Sequence, residues 1–440
     1  MSFSRGPHTF TVTAKLFSKN RERLVDVLRT KSKPRSVILL KGGEETLRNY
    51  SDSVINVFRQ ESYFFWTFGV HEEDFFGAID IDSGKSILFP PRLPPAYGII
   101  CGKINPESYF KEKYGVDEIY FNDKGKVVEV LKKLNTKHLL LLKAENTDSG
   151  MTMNSPEFEG RSDFEIDETT LYPVIGNLRV FKTDMELEVM RYAARAASEA
   201  HKNLMKSVRP GLFEYQLERG PNSAVLHYGA ANAPNNRKLK NGDLCVLDMG
   251  TEYNCYASDI TITVPCGGRF TEKQKVIYNA VLRANRRVIE AAKPGVRWTD
   301  MHHLAERIIL EDLKTAGILK GEVEEMIAAR VGGIFMPHGL GHFLGVDVHD
   351  VGGYLGVSEY DATPRSSLLG LKSLRTTRTL AERMVITVEP GCYFIDTVKK
   401  IWLEKFQVRI EDDVVIWEKE NEVLSNVPRT IEEIETFMNS

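Results

Sequence analysis

The second half of the chain carries five side chains that have the chemistry of metal ligands, four carboxylates and one imidazole. They are Asp248, Asp259, His342, Glu389 and Glu411. Two adjacent hard or borderline divalent cations require such a carboxylate-rich set. Bridging carboxylates hold two such metals roughly 3.5 to 4 Å apart, and a water shared between them loses a proton near neutral pH. Because the resulting nucleophile can attack an amide carbonyl, the set predicts metal-dependent hydrolysis of a peptide or amide bond.

The two aspartates fall in β-rich runs, residues 244–249 and 256–264, which we expect to pair as a hairpin about Tyr253-Asn254. Asp248 and Asp259 are equidistant from that centre, so in an antiparallel pair they would lie opposite each other. Carboxylates this close repel each other unless a cation lies between them. Taken alone, the pair is explained equally well as two unrelated loop acids.

Three of the ten histidines lie within twelve residues, in the stretch HGLGHFLGVDVHD. They are His338, His342 and His349. The glycines between them keep the backbone open and argue against the helical HExxH arrangement of zinc proteases. We therefore expect His342 to bind metal from a strand or loop, and His338 and His349 to handle substrate and protons. The alternative is that all three are ordinary packed or surface histidines.

Both glutamates stand at the ends of strand-like runs. Glu389 follows residues 384–388 and precedes Pro390-Gly391, and Glu411 follows the alternating residues 408–410. Each glutamate alone would more often be a solvated strand acid, and it is their presence together with the aspartates and His342 that indicates a site. Since oxygen ligands dominate and no thiolate is present, manganese, cobalt or iron suits this set better than a structural zinc.

Composition argues against several other classes of protein. The 58 basic and 61 acidic residues give a net charge of -3, so neither nucleic acid nor an anionic membrane is an expected partner. The N-terminus lacks an apolar signal region and no apolar run is long enough to span a bilayer, so we expect a cytoplasmic protein. The five cysteines form no CxxC pair and are odd in number, which favours free thiols in a reducing compartment.

At 440 residues the chain is long enough for two hydrophobic cores. Residues 35–180 alternate strand-like and helix-like stretches, with a hairpin that turns at Asp82-Ser83-Gly84, and a boundary is expected near residues 179–182. Beyond it, Thr183 and Thr271 each open an Ala-rich helix, and a further helix is expected over residues 300–313. This weak internal repeat is shortened in its first copy, at residues 216–222.

Motifs along nearly the whole chain resemble those of the prolidases, the Xaa-Pro dipeptidases of the creatinase/aminopeptidase "pita-bread" group. The motifs are FRQESYFFWTFGV, RVFKTDMELEV, MPHGLGHFLGVDVHDVGGY, ITVEPG and VRIEDDVV. The resemblance implies an α+β protein with a creatinase-like α/β domain at residues 1–180. It also implies a pita-bread catalytic domain at residues 181–440, in which helices cover a curved antiparallel sheet and part of the first repeat is missing.

The resemblance also assigns roles to residues. It implies two divalent metal ions, most typically Mn²⁺, with Asp248 and Asp259 on one metal and His342 and Glu389 on the other. Asp259 and Glu411 bridge them. It further implies proton transfer by Glu389, stabilisation of the tetrahedral intermediate by His349, and binding of an Xaa-Pro dipeptide by the side chains of His227, His349 and Arg375. Members of the group are typically homodimers.

Two other functions stay open from the sequence. One is an Xaa-Pro aminopeptidase acting on longer peptides, which Arg375 and His227 disfavour because a side chain bound to the terminal carboxylate of the substrate limits its length to two residues. The other is a catalytically impaired pita-bread binding protein, because of the deletion near residue 220. The ligand set is intact, which favours the dipeptidase.

Overall fold

The computed structural model of the chain describes residues 2–49, 51–52, 57–100, 102–217, 236–355, 362–394 and 407–440. The chain divides into two compact units, Met1–Arg179 and Val180–Ser440. Among the described residues, every helix is too short or too polar to cross a bilayer. The four described cysteines, Cys245, Cys255, Cys266 and Cys392, are buried free thiols. The α+β class predicted from the sequence is confirmed.

The first unit is built on a mixed six-stranded sheet. The strands of the first unit are Ser2–Phe3 (β1), Val12–Thr13 (β2), Ser36–Lys41 (β3), Phe76–Asp80 (β4), Ser86–Phe89 (β5), Glu118–Ile119 (β6), His138–Leu141 (β7), Ala144–Glu145 (β8), Thr152–Met153 (β9) and Glu165–Asp167 (β10). Six of them form the sheet, in the order β10-β7-β3-β4-β5-β6. The hairpin of β4 and β5 pairs Ala78 with Ile87 and turns through Gly84 at φ 78°, as predicted.

Helices pack around this sheet. They are Ala14–Lys31 (α1), Ser62–Phe68 (α2), Tyr97–Ile100 (α3), Glu107–Tyr114 (α4), Lys126–Lys133 (α5) and Leu171–Val180 (α6), with a 3₁₀ turn at Arg161–Asp163. In α1 the buried residues Leu16, Phe17, Leu24 and Leu28 recur at helical spacing, so one face is covered and the other is solvated.

The second unit contains the predicted capped helices. Its helices are Asp184–Ser207 (α7), Glu214–Leu217 (α8), Glu272–Ala291 (α9), Trp298–Thr315 (α10), Val323–Ala328 (α11), Gly332–Phe335 (α12) and Ile431–Met438 (α13), with a 3₁₀ turn at Leu371–Ser373. Thr183 and Thr271 form capping boxes with Glu186 and Gln274. Glu186 also accepts a hydrogen bond from buried Tyr256 at 3.0 Å, so the start of α7 is fixed to the strands beneath it.

Every strand ladder of the second unit's described residues is antiparallel. The strands are Leu244–Met249 (β11), Glu252–Tyr253 (β12), Tyr256–Ala257 (β13), Ile260–Pro265 (β14), Val385–Val388 (β15), Gly391–Tyr393 (β16), Gln407–Arg409 (β17), Asp412–Val415 (β18) and Glu422–Val423 (β19). The pairs are β11-β14, β12-β13, β15-β18, β18-β19 and β16-β17. A bridge between Thr261 and Glu411 joins β14 to the β17-β18 segment, and one between Phe343 and Ile386 joins the histidine segment to β15.

The expected register of the aspartate hairpin is wrong. Tyr253 pairs with Tyr256, and Asp248 faces Thr261 rather than Asp259. The two-residue turn is Asn254-Cys255, with φ values of 46° and 58°, which are the left-handed values that a tight hairpin turn requires at both central positions. The hairpin centre therefore moves by one residue, and Asp259 lies just before β14 instead of across from Asp248.

Two of the sequence predictions fall on residues outside those described. Most of the predicted shortening at residues 216–222 lies in the stretch 218–235, which is outside the described residues, and so does His227.

Candidate metal centre

The structure brings the five predicted ligands together in the second unit. Three groups of side chains each place a ligand atom from every member within 4.8 Å of the others. The groups are Asp248, Asp259 and Glu411; His342, Glu389 and Glu411; and Asp259, His342 and His349. Asp259, His342 and Glu411 each belong to two of these groups, so the three groups form one continuous cluster.

The β11-β14 pair presents the first two carboxylates. Asp248 stands on β11 and Asp259 at the end of the chain segment that leads into β14. Burial, followed by the neighbouring Asp259 carboxylate, raises the pKa of Asp248 to about 7, against the opposing effect of Arg409. Burial and the neighbouring anion both favour the protonated form of this carboxyl group. A cation bound beside it would stabilise the carboxylate instead.

His342 lies in an extended, non-helical segment, as the glycine pattern predicted. Its Nδ1 lies 3.0 Å from the Phe343 carbonyl, and its Nε2 lies 3.4 Å from Asp259 and 3.6 Å from Glu389. A proton on Nδ1 donated to that carbonyl leaves Nε2 as the ligand atom facing the carboxylates. Burial lowers the pKa of the imidazole, but Asp259 and Glu389 outweigh it and the pKa of His342 is raised.

Close backbone packing holds the His342 segment in place. Trp298 donates its indole N–H to the Gly341 carbonyl at 3.2 Å, and the His342 N–H donates to Thr387 Oγ1 at 3.1 Å. A Cβ on Gly341 would lie 1.9 Å from the Thr387 carbonyl oxygen, so only glycine permits the approach. The tryptophan of α10 and the threonine of β15 therefore hold the backbone that carries the imidazole.

The two glutamates are held from opposite directions. Glu389 follows β15, donates its backbone N–H to Leu340 and accepts from Thr387 Oγ1 at 3.3 Å. Glu411 is buried and accepts from Thr261 Oγ1 at 2.6 Å. Burial raises the pKa of both carboxyl groups; the other acids of the site add to the effect on Glu411, and His342 opposes it on Glu389. This excess of buried negative charge is the electrostatic signature of a cation site.

Arg409 is a site residue that the sequence reasoning missed. Its guanidinium donates to Asp248 Oδ2 at 2.5 Å, to Tyr393 Oη at 3.0 Å and to Thr261 Oγ1 at 3.2 Å. The signal was available, because in the strand-like stretch Val408-Arg409-Ile410-Glu411 the arginine stands two positions before Glu411 and so projects to the same face. Arg409 offsets part of the negative charge on the side of Asp248.

Asp413 was also missed, although it lies within the motif VRIEDDVV. Its buried carboxylate accepts the backbone N–H of Asp259 at 3.1 and 3.2 Å. Burial and the Asp259 charge raise the pKa of Asp413. The neighbouring Asp412 binds buried Arg429, which also donates to the Thr261 and Glu411 carbonyls. These contacts orient the backbone from which Asp259 and Glu411 project.

His338 and His349 lie beside the centre. The His349 ring packs perpendicular to that of His342, with centroids 4.4 Å apart. His338 Nε2 lies 2.9 Å from Tyr393 Oη, and its Nδ1 lies 4.0 Å from Glu389 Oε2. Burial lowers the pKa of His338 to about 4, so this imidazole is neutral at physiological pH. A chain of contacts thus links Asp248 to His338 through Arg409 and Tyr393.

The structure does not bring Arg375 into the three ligand groups. Arg375 is half-buried, and its carbonyl oxygen lies against Gly353, where a Cβ would approach to 2.1 Å. The following Thr376 donates its hydroxyl to the Gly353 carbonyl at 3.2 Å. Arg375 is therefore anchored beside the turn that comes four residues after His349.

Comparison with known proteins agrees with this geometry. The chain matches Metallopeptidase family M24 over residues 219–418 and the Aminopeptidase P, N-terminal domain over residues 17–142. It is 48% identical to the Xaa-Pro dipeptidase of Mus musculus and 47% identical to that of Homo sapiens, over 481 residues that include 99% of this chain and 96% of each relative. Aminopeptidase P of Escherichia coli and aminopeptidase PepP of Pseudomonas aeruginosa match in structure with a TM-score of 0.79 at 29% identity, covering 97% of this chain and 98% of theirs.

The alignments to the mammalian dipeptidases are longer than this chain of 440 residues, so those relatives contain segments that it lacks. This agrees with the deletion predicted from the internal repeat. The resemblance recognised in the motifs is confirmed by relatives that cover nearly the whole chain. The chain therefore belongs to metallopeptidase family M24, within its prolidase group.

Proposed function

We propose that this chain is a metal-dependent dipeptidase that hydrolyses Xaa-Pro dipeptides at a dinuclear centre. The observation that carries the proposal is the sharing of Asp259 and Glu411 between ligand groups. Asp248 would complete the shell of one cation, and His342 and Glu389 that of the other. The relatives named Xaa-Pro dipeptidase supply the substrate class.

The donor set fits hard or borderline divalent cations, because four carboxylates and one imidazole converge. The raised pKa values of Asp248 and Glu411, caused by burial and by neighbouring acids, support this fit. We propose Mn²⁺ as the native metal, since oxygen donors dominate. When bound, the two cations supply the Lewis acidity that activates water at neutral pH. An E. coli aminopeptidase P structure is described as zinc-substituted, and zinc is accordingly a comparison metal for this chain.

The remaining chemistry belongs to side chains around the ligands. Glu389 is 17% exposed and lies 4.0 Å from neutral His338, so these two groups are placed to receive and return a proton. His349, beside His342, would donate to the carbonyl oxygen of the scissile bond as negative charge develops on it. His227 would contact the substrate as well.

Length selection separates a dipeptidase from an aminopeptidase. Arg375 would bind the free carboxylate of the dipeptide, a pairing that suits the planar guanidinium. A longer peptide has no carboxylate at that position, so it would leave the arginine unpaired. The mammalian dipeptidases are also more similar in sequence to this chain than the bacterial aminopeptidase structures.

The decisive experiment measures proline release from alanyl-proline by purified protein that has been stripped of metal and then supplied with Mn²⁺. We expect release to return with the metal and to be absent in Asp259→Asn, which lacks a shared carboxylate. Absence of release from folded, metal-loaded wild-type protein would contradict the proposal and favour a binding protein impaired by the deletion.

Arg375→Ala tests the substrate assignment. Loss of a hydrogen-bonded charge pair should raise KM for alanyl-proline by about 10- to 100-fold, with metal content unchanged. Arg375→Lys is the matched control, which keeps the charge but loses the planar guanidinium. Its KM should lie between those of wild type and Arg375→Ala. If KM is unchanged in Arg375→Ala, or if alanyl-prolyl-alanine is cleaved better than the dipeptide, the length-selecting role is wrong.

A further inference from the structure

We propose that a buried ion pair between Lys182 and Asp350 is a positioning device that sets the place of His349 at the metal centre. Lys182 Nζ lies 2.9 Å from Asp350 Oδ2, and each side chain is 1% exposed. Neither residue belongs to the ligand groups, and 168 positions separate them in sequence. The inference rests on the proposed function, because it concerns how His349 is held for the hydrolysis proposed above.

Asp350 closes the loop that carries the two histidines. Its backbone N–H donates to the Phe343 carbonyl at 2.8 Å. His342 and His349 each directly precede one end of that hydrogen bond, so the closure brings their rings to a centroid separation of 4.4 Å. Since Asp350 is the next residue along the chain, a displacement of its backbone is also a displacement of His349.

The loop backbone packs directly on the ion pair. A Cβ on Gly345 would lie 2.2 Å from Asp350 Oδ2 and 2.9 Å from Lys182 Nζ, so at this position the loop passes within contact distance of both charged groups. The Gly345 carbonyl accepts the backbone N–H of Ala257 at 2.9 Å, which joins the loop to β13. At Gly345 the loop therefore contacts the ion pair and is also hydrogen-bonded to the aspartate hairpin.

Lys182 is itself tied to a metal-binding strand. Its backbone N–H donates to the Arg383 carbonyl at 3.0 Å, and Arg383 Nη1 donates to the Lys182 carbonyl at 3.3 Å. The preceding Phe181 bridges Met384, directly before β15, and Glu389 is the first residue after β15. Lys182 therefore connects the segment that leads through β15 to Glu389 with the loop that carries His349.

Charge supplies the energetic reason for the pairing. A carboxylate withdrawn from water requires compensation, and Lys182 provides a full positive charge at hydrogen-bond distance. The direction of that bond also matters, because it draws the Asp350 side chain to the lysine that is fixed on the far side of the loop. An apolar contact of equal volume would fill the space but would not fix the direction.

The test uses Lys182→Met, Asp350→Asn and the double variant Lys182→Met/Asp350→Asn in the full chain with Mn²⁺ bound. Groups that hold the functional side chains of a metal site in place are typically worth about 10- to 100-fold in activity, so we expect kcat on alanyl-proline to fall by that factor in all three variants. Metal content should stay at the wild-type level, since none of the ligand side chains is altered. Glu422→Gln is the control. It weakens a different, half-buried ion pair, in which Arg191 Nε lies 2.6 Å from Glu422 Oε1, and it should leave kcat unchanged.

The double variant separates positioning from folding. Removing both charges avoids leaving one of them buried alone, so its Tm should recover relative to the single variants. Because the directional contact is absent, we expect kcat to stay low. Recovery of kcat together with Tm would overturn the inference, since the pair would then act only through stability. If a single variant does not fold, the double variant alone carries this comparison.

A second readout does not depend on hydrolysis. In protein labelled with ¹⁵N-histidine, the His349 imidazole signals, assigned through His349→Asn, should shift in Asp350→Asn and in the double variant but not in Glu422→Gln. Unshifted His349 signals in both would overturn the inference. If wild-type protein fails to cleave alanyl-proline, the proposed function fails, whereas these spectra still decide whether the ion pair sets His349.

Discussion

The two halves of the second unit contribute to the metal centre in different ways. The first half, residues 184–265, supplies Asp248 and Asp259, and the second half, residues 272–415, supplies the other three candidate ligands. In the second half, local contacts such as those of Thr387 and Trp298 hold His342 and Glu389. In the first half, side chains that come from the second half orient the ligands, with Arg409 on Asp248 and Asp413 on Asp259.

Contacts also run the other way. Thr261 of the first half donates its hydroxyl to Glu411 and accepts the Glu411 backbone N–H, and Thr263 donates its hydroxyl to the Arg409 carbonyl. The side chains that orient Asp248 and Asp259 nevertheless lie far along the chain from the predicted deletion near residue 220.

The largest effect is expected where the halves meet. In Glu411→Ala a carboxylate that belongs to two of the three ligand groups is lost, so both metals should be lost and activity should fall to background. Metal content per chain by elemental analysis and proline release are the measurements. Glu418→Ala, an exposed change seven residues away, should alter neither quantity. Retention of two metals by Glu411→Ala would show that this carboxylate does not bridge.

Arg409→Met should have the next largest effect, because it removes the hydrogen-bond donor of the second half that orients the Asp248 carboxylate. We expect a loss of about 10- to 100-fold in metal affinity or activity, greatest for the cation on the Asp248 side. Metal titration of stripped protein, followed by calorimetry, measures the two affinities separately. Arg283→Met, at a side chain that is 45% exposed, is the control. An equal loss at both metals would contradict the dependence of the first half on Arg409.

Two threonine changes compare the halves directly. Thr387→Val leaves the buried His342 N–H without its acceptor, at a cost of about 1 to 3 kcal/mol, and should weaken the cation on the His342 side. Thr261→Val removes the donor to Glu411 and an acceptor for Arg409, so it should weaken both cations. The same titration decides between these patterns. Identical patterns in the two variants would show that the halves are equivalent.

The smallest expected effect is on the pH dependence of stability in protein stripped of metal. The folded-state pKa of Asp248 is raised to about 7, so below about pH 4 this group does not oppose folding, and it increasingly does so as pH rises towards 7. The free energy of unfolding should therefore fall over that window, and saturating Mn²⁺ should remove the decline. Urea unfolding at several pH values measures it, with Asp248→Asn expected to flatten the curve. A free energy of unfolding that rises between pH 4 and pH 7 would contradict this prediction.

The sequence was sufficient for elements with strong local signals. The capping boxes at Thr183 and Thr271 were predicted correctly because their hydrogen bonds join residues three apart. Five residues suited to metal binding could be selected because carboxylate and imidazole side chains have the chemistry of metal ligands, and the structure brings all five together.

The parts that were missed depend on contacts between distant segments. Asn254-Cys255 adopts left-handed φ values, but a cysteine gives little signal for that conformation, so the register was placed one residue away. Arg409 reads as an ordinary strand arginine until Asp248, 161 positions earlier, is placed beside it. Positions that act on the ligands from another strand are therefore harder to find than the ligands themselves.

The tight turn at Asn254-Cys255 also has a consequence for how this protein can change in length. In the paired strands, adding one residue to the turn would shift the register and exchange the inward and outward faces of β14. Thr261 would then leave Glu411, and its neighbours would bring apolar side chains to the ligands. Insertions of a single residue here should be eliminated in a library selected for activity.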